Sequence, residues 1–279
     1  MKNNRLTSKH LQSFRDYLFQ EEKSAATIEK YCRDVQKFFS FASGDMITKE
    51  LTISYKKHLE ECDYAVRSIN SMLTSLNRFL EFLGRADLKV KIIRIQRKVY
   101  CEEKQELTKA EYLRLLDAAK NHRQLKLVMQ TICSTGIRIS ELKYFSVEGV
   151  LRGEISVHCK NKTRVILIPG KLKKLLLAYA KQRSIKSGLI FITRSGKPLD
   201  RSNIWSQMKK LCDAAGVART KVFPHNLRKL FARTFYRIEK DIAKLADILG
   251  HGSIETTRIY IMTTGVEHRR KIEQLGLVI

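Results

Sequence analysis

Apolar positions recur with a helical period through the first third of the chain. Leu11, Phe14, Leu18 and Phe19 fall on one face, and Ile28, Tyr31, Val35, Phe38, Phe39 and Ala42 on another, closed by Ser43-Gly44. Leu51, Tyr55 and Leu59 predict a shorter helix. The clearest stripe is Val66, Ile69, Met72, Leu73, Leu76, Phe79, Leu80 and Leu83, stopped by Gly84. Between these positions stand Lys23, Lys30, Arg33, Lys37, Lys56, Lys57, Arg67 and Arg78. The joint expectation is a small all-α bundle with a basic side.

The stripe is lost from Lys89 to Lys104, where Arg94, Arg97 and Lys98 sit among Ile92, Ile93 and Ile95. This reads as a connector. Leu107-Thr108-Lys109-Ala110-Glu111-Tyr112 then has the form of a helix start: Thr108 as cap, Glu111 completing a capping box, and Leu107 placed to staple onto Tyr112. The expected division is a helical domain at 1–90, a basic linker at 91–105 and a second domain at 106–279. In that second domain Leu125 to Ile132 and Ile139 to Phe145 read as helices. Glu154 to His158 and Arg164 to Ile168 read as the arms of a hairpin, with Asn161 suited to its turn. Leu189 to Ile192 is a candidate third strand, and helices return from Ser202. The fold class is therefore mainly α with a small β-sheet (α+β).

Composition narrows the partner. The chain has 279 residues, with 54 Lys+Arg against 28 Asp+Glu, a formal net charge of +26. A hydrophobic share of 43% is enough to build real cores. Such an excess of positive charge on a foldable chain points to a polyanion, nucleic acid first and an anionic membrane surface second. No stretch approaches the ~18 apolar residues of a membrane span, and no apolar run behind Met1-Lys2-Asn3-Asn4-Arg5 suggests a signal peptide. Six cysteines without C-x-x-C spacing read as reduced thiols. No glycine-rich phosphate-binding loop is present, and the histidines lack metal-ligand spacing, so neither cofactor nor metal is expected.

Candidate chemistry lies in six positions of the second domain. Arg138 stands in Ser134-Thr135-Gly136-Ile137-Arg138-Ile139-Ser140-Glu141-Leu142, and Lys160 at the hairpin turn. His225 and Arg228 form H-x-x-R, a spacing that puts them on one helical face. His251 follows Leu249-Gly250, and Tyr260 ends Thr256-Thr257-Arg258-Ile259-Tyr260. Taken singly each has a plain explanation: a surface ion pair, a solvated turn lysine, a helix start, a packing ring.

Taken in order, T-G-[apolar]-R-[apolar]-S-E-L, a hairpin lysine, H-x-L-R, L-G-H and T-x-x-Y resemble the tyrosine recombinase (phage integrase) family over residues 107–279. The first domain is similar to that family's helical, SAM-like core-binding domain in length and pattern. The resemblance implies a site-specific DNA recombinase that cleaves and rejoins strands through a 3′-phosphotyrosyl link and a Holliday junction, without metal or ATP. Tyr260 would be the nucleophile, and Arg138 and Arg228 would fork onto the scissile phosphate. Lys160 would protonate the leaving 5′ oxygen, His225 would be the base candidate and His251 a phosphate donor. Glu141 would support Arg138 from behind. Family members work as a homo-tetramer around two duplexes, and the resemblance implies the same for this chain, each subunit clamping double-stranded DNA, in the cytosol or nucleoid of a bacterium and with no membrane role.

The sequence departs from the family pattern at Cys159-Lys160-Asn161, where Gly-Lys-Gly is common, so Lys162 competes with Lys160 for the acid role. Ile272, Leu275, Leu277, Val278 and Ile279 are expected either to dock on a neighbouring subunit or to pack on their own core. The chain opens almost directly on its first helix, which suits a recombinase needing only core sites, of the Xer type or from a small mobile element. A non-catalytic DNA-binding regulator and a type IB topoisomerase-like relaxing enzyme are the alternatives.

Overall fold

The structure, a computed structural model, describes residues 8–44, 46–95, 106–159, 162–262, 269–270 and 272–276. The chain divides into two compact units, residues 1–97 and 98–279.

The first unit holds α1 (Ser8–Gln20), α2 (Ala25–Ala42), α3 (Lys49–Glu61) and α4 (Val66–Phe82), with α4 packed against each of the others. Ser24 and Thr48 cap α2 and α3 by accepting from the backbone N–H three residues on. Phe14, Leu18, Phe38, Tyr55, Leu73, Leu76, Phe79 and Leu80 form the core. Phe19 does not join it and is 74% exposed. Successive helical residues point about 100° apart, so only one of the pair Leu18 and Phe19 can share the face of Phe14. Val66, in the first turn of α4, is likewise exposed.

Two asparagines on α4 hold the chain that follows it. Asn77 donates to Val90 O (2.8 Å) and accepts from Val90 N (3.0 Å). Asn70 makes the same pair of bonds with Ile93, both at 2.8 Å. Thr52 on α3 donates to Leu88 O at 2.9 Å. An extended segment without a strand partner leaves its backbone groups to be satisfied by side chains, and these amides do so two helical turns apart.

The second unit begins with α5 (Lys109–Ala118) and the capping box read from the sequence. Thr108 Oγ1 accepts from Glu111 N at 3.2 Å, and Glu111 Oε2 accepts from Thr108 N at 2.8 Å. Next come α6 (Arg123–Thr135), α7 (Val147–Arg152), an antiparallel hairpin of β1 (Glu154–Cys159) and β2 (Lys162–Leu167), and α8 (Gly170–Gln182). They are followed by α9 (Arg201–Lys210), α10 (Cys212–Ala215), α11 (Pro224–Glu239), α12 (Ile242–Leu249) and α13 (Ile254–Ile261). The register runs from Glu154 opposite Leu167 to Cys159 opposite Lys162. Ile155, Val157 and Ile166 enter the core, while Val165 and Leu167 face out.

Two expectations need correction. Residues 139–144 form a 3₁₀ turn rather than an α-helix, because Arg138 and Glu141 close a tight capped loop immediately after α6. Leu189 to Ile192 is not a strand: Leu189 and Ile192 make only isolated bridges, to Ser146 and Pro198, while Ile190 and Phe191 plug the core. A short buried apolar run is compatible with either state.

A smaller cluster of Ala232, Leu245, Leu249 and Tyr260 joins α11, α12 and α13. Among the described residues no helix is long and apolar enough to cross a membrane, and Cys32, Cys62, Cys133 and Cys212 are free thiols. Ile272 and Leu275 are exposed, and Leu277, Val278 and Ile279 lie outside the described residues.

Candidate active site

The C-terminus of α12 organises the site. The last carbonyls of a helix have no intrahelical partner and carry the negative end of its dipole. Three consecutive carbonyls here receive arginines from elsewhere in the fold. Arg164 on β2 donates to Ile248 O, Arg228 on α11 to Leu249 O at 2.6 Å, and Arg138 to Gly250 O at 3.2 Å. The chain turns at Gly250 with φ +63°, and a Cβ there would lie 2.7 Å from Arg164 Cδ, so close approach and backbone both call for glycine.

Arg228 is 1% exposed. Nη1 donates to Gly136 O at 2.6 Å, and Nη2 to Leu249 O and to His251 Nε2, the latter at 2.9 Å. Its Nε is buried without a partner. Burial, reinforced by the nearby Arg138 charge, lowers this guanidinium to about 10, which still leaves it cationic at neutral pH. Gly136 makes the carbonyl contact possible. It caps α6 at φ +65°, and a Cβ there would meet Phe231 at 2.4 Å.

Arg138 precedes the 3₁₀ turn. Glu141, 2% exposed, accepts from Arg138 N (2.7 Å) and Arg138 Nη1 (3.2 Å), and also from Arg164 Nη2 (2.5 Å). Glu141 therefore stands behind two arginines, Arg138 as expected and Arg164 as a neighbour. Arg164 spends its charge on Glu141, while the side chain of Arg138 remains 40% exposed. Three guanidinium groups against one carboxylate leave an excess of positive charge that an anion would relieve.

Tyr260, buried on α13, lies between two imidazoles. Its ring centroid is 5.0 Å from that of His225 at 82° and 5.0 Å from that of His251 at 75°, with Arg228 Cζ 6.0 Å from it. His225 sits in the first turn of α11 behind Pro224 and keeps an exposed edge. Desolvation of its ring, followed by the Lys229, Arg228 and Arg138 charges, pushes its pKa below the ordinary value. His251 is pushed down to about 4, first by burial and then by Arg228, Arg138 and Arg164. Its Nδ1 lies 2.8 Å from Thr257 Oγ1.

Arg138, Glu141, His225, Arg228, His251 and Tyr260 are thus brought together. Lys160 lies outside the described residues, as does the side chain of Lys162. Arg164 and Thr257 were not singled out from the sequence as site residues. Arg164 is one of 54 basic residues and meets a partner remote in sequence. Thr257 is visible only as the first letter of T-x-x-Y.

A buried guanidinium with an unused donor, a second one open to solvent and a tyrosine between two neutral imidazoles are the equipment of a phosphoryl-transfer protein. The comparisons make the class specific. Residues 105–265 match the model of the phage integrase family, and residues 11–87 that of its N-terminal SAM-like domain. The chain belongs to the phage integrase family. It is 30% identical to the tyrosine recombinase XerA of Thermococcus kodakarensis over 96% of this chain and 95% of that one. Its fold is similar to a lambda integrase dimer bound to a COC′ core site, with TM-score 0.73, 18% identity and 94% and 96% of the two chains covered. It also resembles the XerH recombinase bound to difH in a pre-cleavage complex, with TM-score 0.70, 19% identity and 98% and 85% covered.

Proposed function

We propose that this protein is a site-specific DNA recombinase, with residues 1–90 contacting the duplex, 91–105 linking, and 106–279 carrying out strand transfer. Tyr260 attacks the scissile phosphorus and forms a 3′-phosphotyrosine, releasing a 5′ hydroxyl. The ester keeps the bond energy, so a second 5′ hydroxyl can reverse the step on another strand. Arg138 and Arg228 hold the non-bridging oxygens as charge builds. The observation that carries this reading is Tyr260 packed against His225, His251 and buried Arg228.

His225 suits the base role because its lowered pKa keeps it neutral and able to accept the tyrosine proton. The resemblance makes His251 a phosphate donor. The hydrogen bonds support a different contribution, the orientation of Arg228, since both ring nitrogens are already engaged. Lys160 is assigned as the acid, with Lys162 as its competitor. A homo-tetramer on two duplexes, working in the cytosol for a mobile element or in Xer-type resolution, completes the reading.

The test does not need the target in advance. Duplexes with a randomised core and a nick that lets the 5′ product diffuse away are mixed with the full chain, and denaturation-resistant adducts are recovered and sequenced. Wild type should yield adducts on a defined sequence, attached at Tyr260, and Tyr260→Phe should yield none. Absence of an adduct from wild type, or an equal yield from the Phe variant, removes the assignment.

A further inference from the structure

The 3₁₀ turn Ile139–Tyr144 is bonded to both strands of the hairpin. Near its start Glu141, which holds Arg138, accepts from Arg164 Nη2 of β2 at 2.5 Å. At its end Tyr144 Oη donates to His158 O of β1 at 2.8 Å. The Tyr144 ring is half-buried and packs against the core of the second unit, so its hydroxyl is presented from a fixed base. Among the described residues the sheet has two strands, so each has a single neighbour, and a carbonyl that this neighbour does not serve needs another donor. His158 O finds one in Tyr144. On the same residue, His158 Nδ1 lies 2.8 Å from Thr163 Oγ1, which ties β1 to β2 where these two residues pair. One further pair, Cys159 and Lys162, follows before residues 160 and 161.

We infer that Tyr144 is a positioning residue for the acid of the cleavage step: with Arg164 it holds the base of the hairpin to the turn that follows Arg138. One six-residue turn then sets the spacing between the guanidinium on the non-bridging oxygens and the lysine at the leaving oxygen. The inference rests on the reading of Lys160 as that acid. In the step, the Tyr260 oxygen bonds to phosphorus as the P–O5′ bond breaks, and a proton passes from Lys160 Nζ to O5′. Lys160 lies outside the described residues, but the strand that leads to it is gripped at His158, two residues earlier. The two anchors differ in chemistry. Arg164 is tied to a carboxylate that also serves Arg138, so changing it disturbs both arginines. Tyr144 reaches the backbone of β1 by a neutral bond, so removing its hydroxyl loosens the hairpin and leaves the Glu141 bonds in place.

Tyr144→Phe in the full chain keeps the packed ring and removes the hydroxyl. The first measurement needs no DNA. Backbone hydrogen exchange, read by mass spectrometry of peptides, should be about three- to fivefold faster than wild type across β1 and β2 and unchanged in α6 and α8. Unchanged exchange in the hairpin, or faster exchange spread over the whole second unit, overturns the inference.

The second measurement is single-turnover cleavage of the duplex recovered by covalent capture, made with either oxygen or sulfur as the 5′ bridging atom of the scissile phosphate. A thiolate leaves without a proton, so sulfur removes the need for an acid while Tyr260, Arg138 and Arg228 still act. Tyr144→Phe should cleave the oxygen substrate about three- to fivefold more slowly at unchanged DNA affinity, and the sulfur substrate at the wild-type rate. A wild-type rate on oxygen overturns the positioning role. So does an equal loss on sulfur, because a merely structural defect slows both substrates alike. Lys160→Ala and Lys162→Ala, run alongside, identify the acid as the variant that sulfur restores. If sulfur restores neither, the reading of a lysine acid falls, and the exchange measurement still decides whether Tyr144 anchors the hairpin.

Discussion

Replacing Arg164 with Met should destabilise the second unit well beyond a surface substitution. Arg164 Nη2 is 2.5 Å from Glu141 Oε2, and its other terminal nitrogen donates to Ile248 O. The side chain is 14% exposed and that of Glu141 3%. Methionine fills much of the same length but supplies no donor, so a buried carboxylate loses its strongest partner and a helix-terminal carbonyl its cap. Removing one member of a buried pair costs about 3–5 kcal/mol. Glu141 keeps the Arg138 backbone N–H at 2.7 Å and its guanidinium at 3.2 Å, which sets the expectation at the lower end, about 3 kcal/mol. For a unit of this size that corresponds to a fall in Tm of roughly 6–12 °C.

The chain provides its own probe for this measurement. Its single tryptophan, Trp205, lies on α9 of the second unit, so tryptophan fluorescence follows that unit without contribution from the first. Thermal melts of wild type, Arg164→Met, Glu141→Gln and the double variant form a cycle. The double variant should be less destabilised than the sum of the single ones, because removing both charges leaves no orphan. A fall of less than about 2 °C for Arg164→Met, or strict additivity in the cycle, would show that Arg164 does not neutralise Glu141.

Further outcomes follow from the same geometry. His251 is held near 4 in the folded protein against 6.5 ordinarily, so its contribution is fully present above pH 6.5 and is lost as pH falls toward 4, where the unfolded chain binds a proton that the native one refuses. The Trp205 melt should drop over that window, and His251→Asn should flatten the slope by about one proton. Thr108→Ala should cost about 1 kcal/mol, a Tm loss of about 2–4 °C, through the lost cap of α5. Covalent capture should proceed in EDTA, because on the proposed reading arginines and a lysine supply the charge and the proton; loss of capture that divalent metal restores would count against this chemistry. DNA affinity should fall steeply with salt, and replacing an exposed lysine such as Lys57 should reduce the slope of log K against log salt by about 0.9.

What the sequence disclosed and what it withheld divide by range of interaction. Stripes, caps and the hairpin are local: Thr108 and Glu111 are three residues apart, and the α4 stripe repeats within two turns, so pattern alone finds them. The exposed Phe19 and the bridged segment at Leu189 to Ile192 fail where two local readings compete and only the rest of the fold decides. The site residues were legible as an ordered set but not as a network. Nothing near Arg164 in sequence announces Glu141, and nothing near Thr257 announces which histidine nitrogen it holds. Those links exist because α12 ends where three arginines converge on consecutive carbonyls, and because Gly136 and Gly250 leave no Cβ in the way. The positive charge that the composition reports as a single excess is thereby sorted by partner. Arg164 is spent on a carboxylate and Arg228 on carbonyls and a histidine with its Nε unused, while Arg138 stays open to solvent. A phosphate entering this site would therefore meet the two arginines at different costs: Arg138 gives up solvent, whereas Arg228 brings a buried Nε donor that has no other partner to lose.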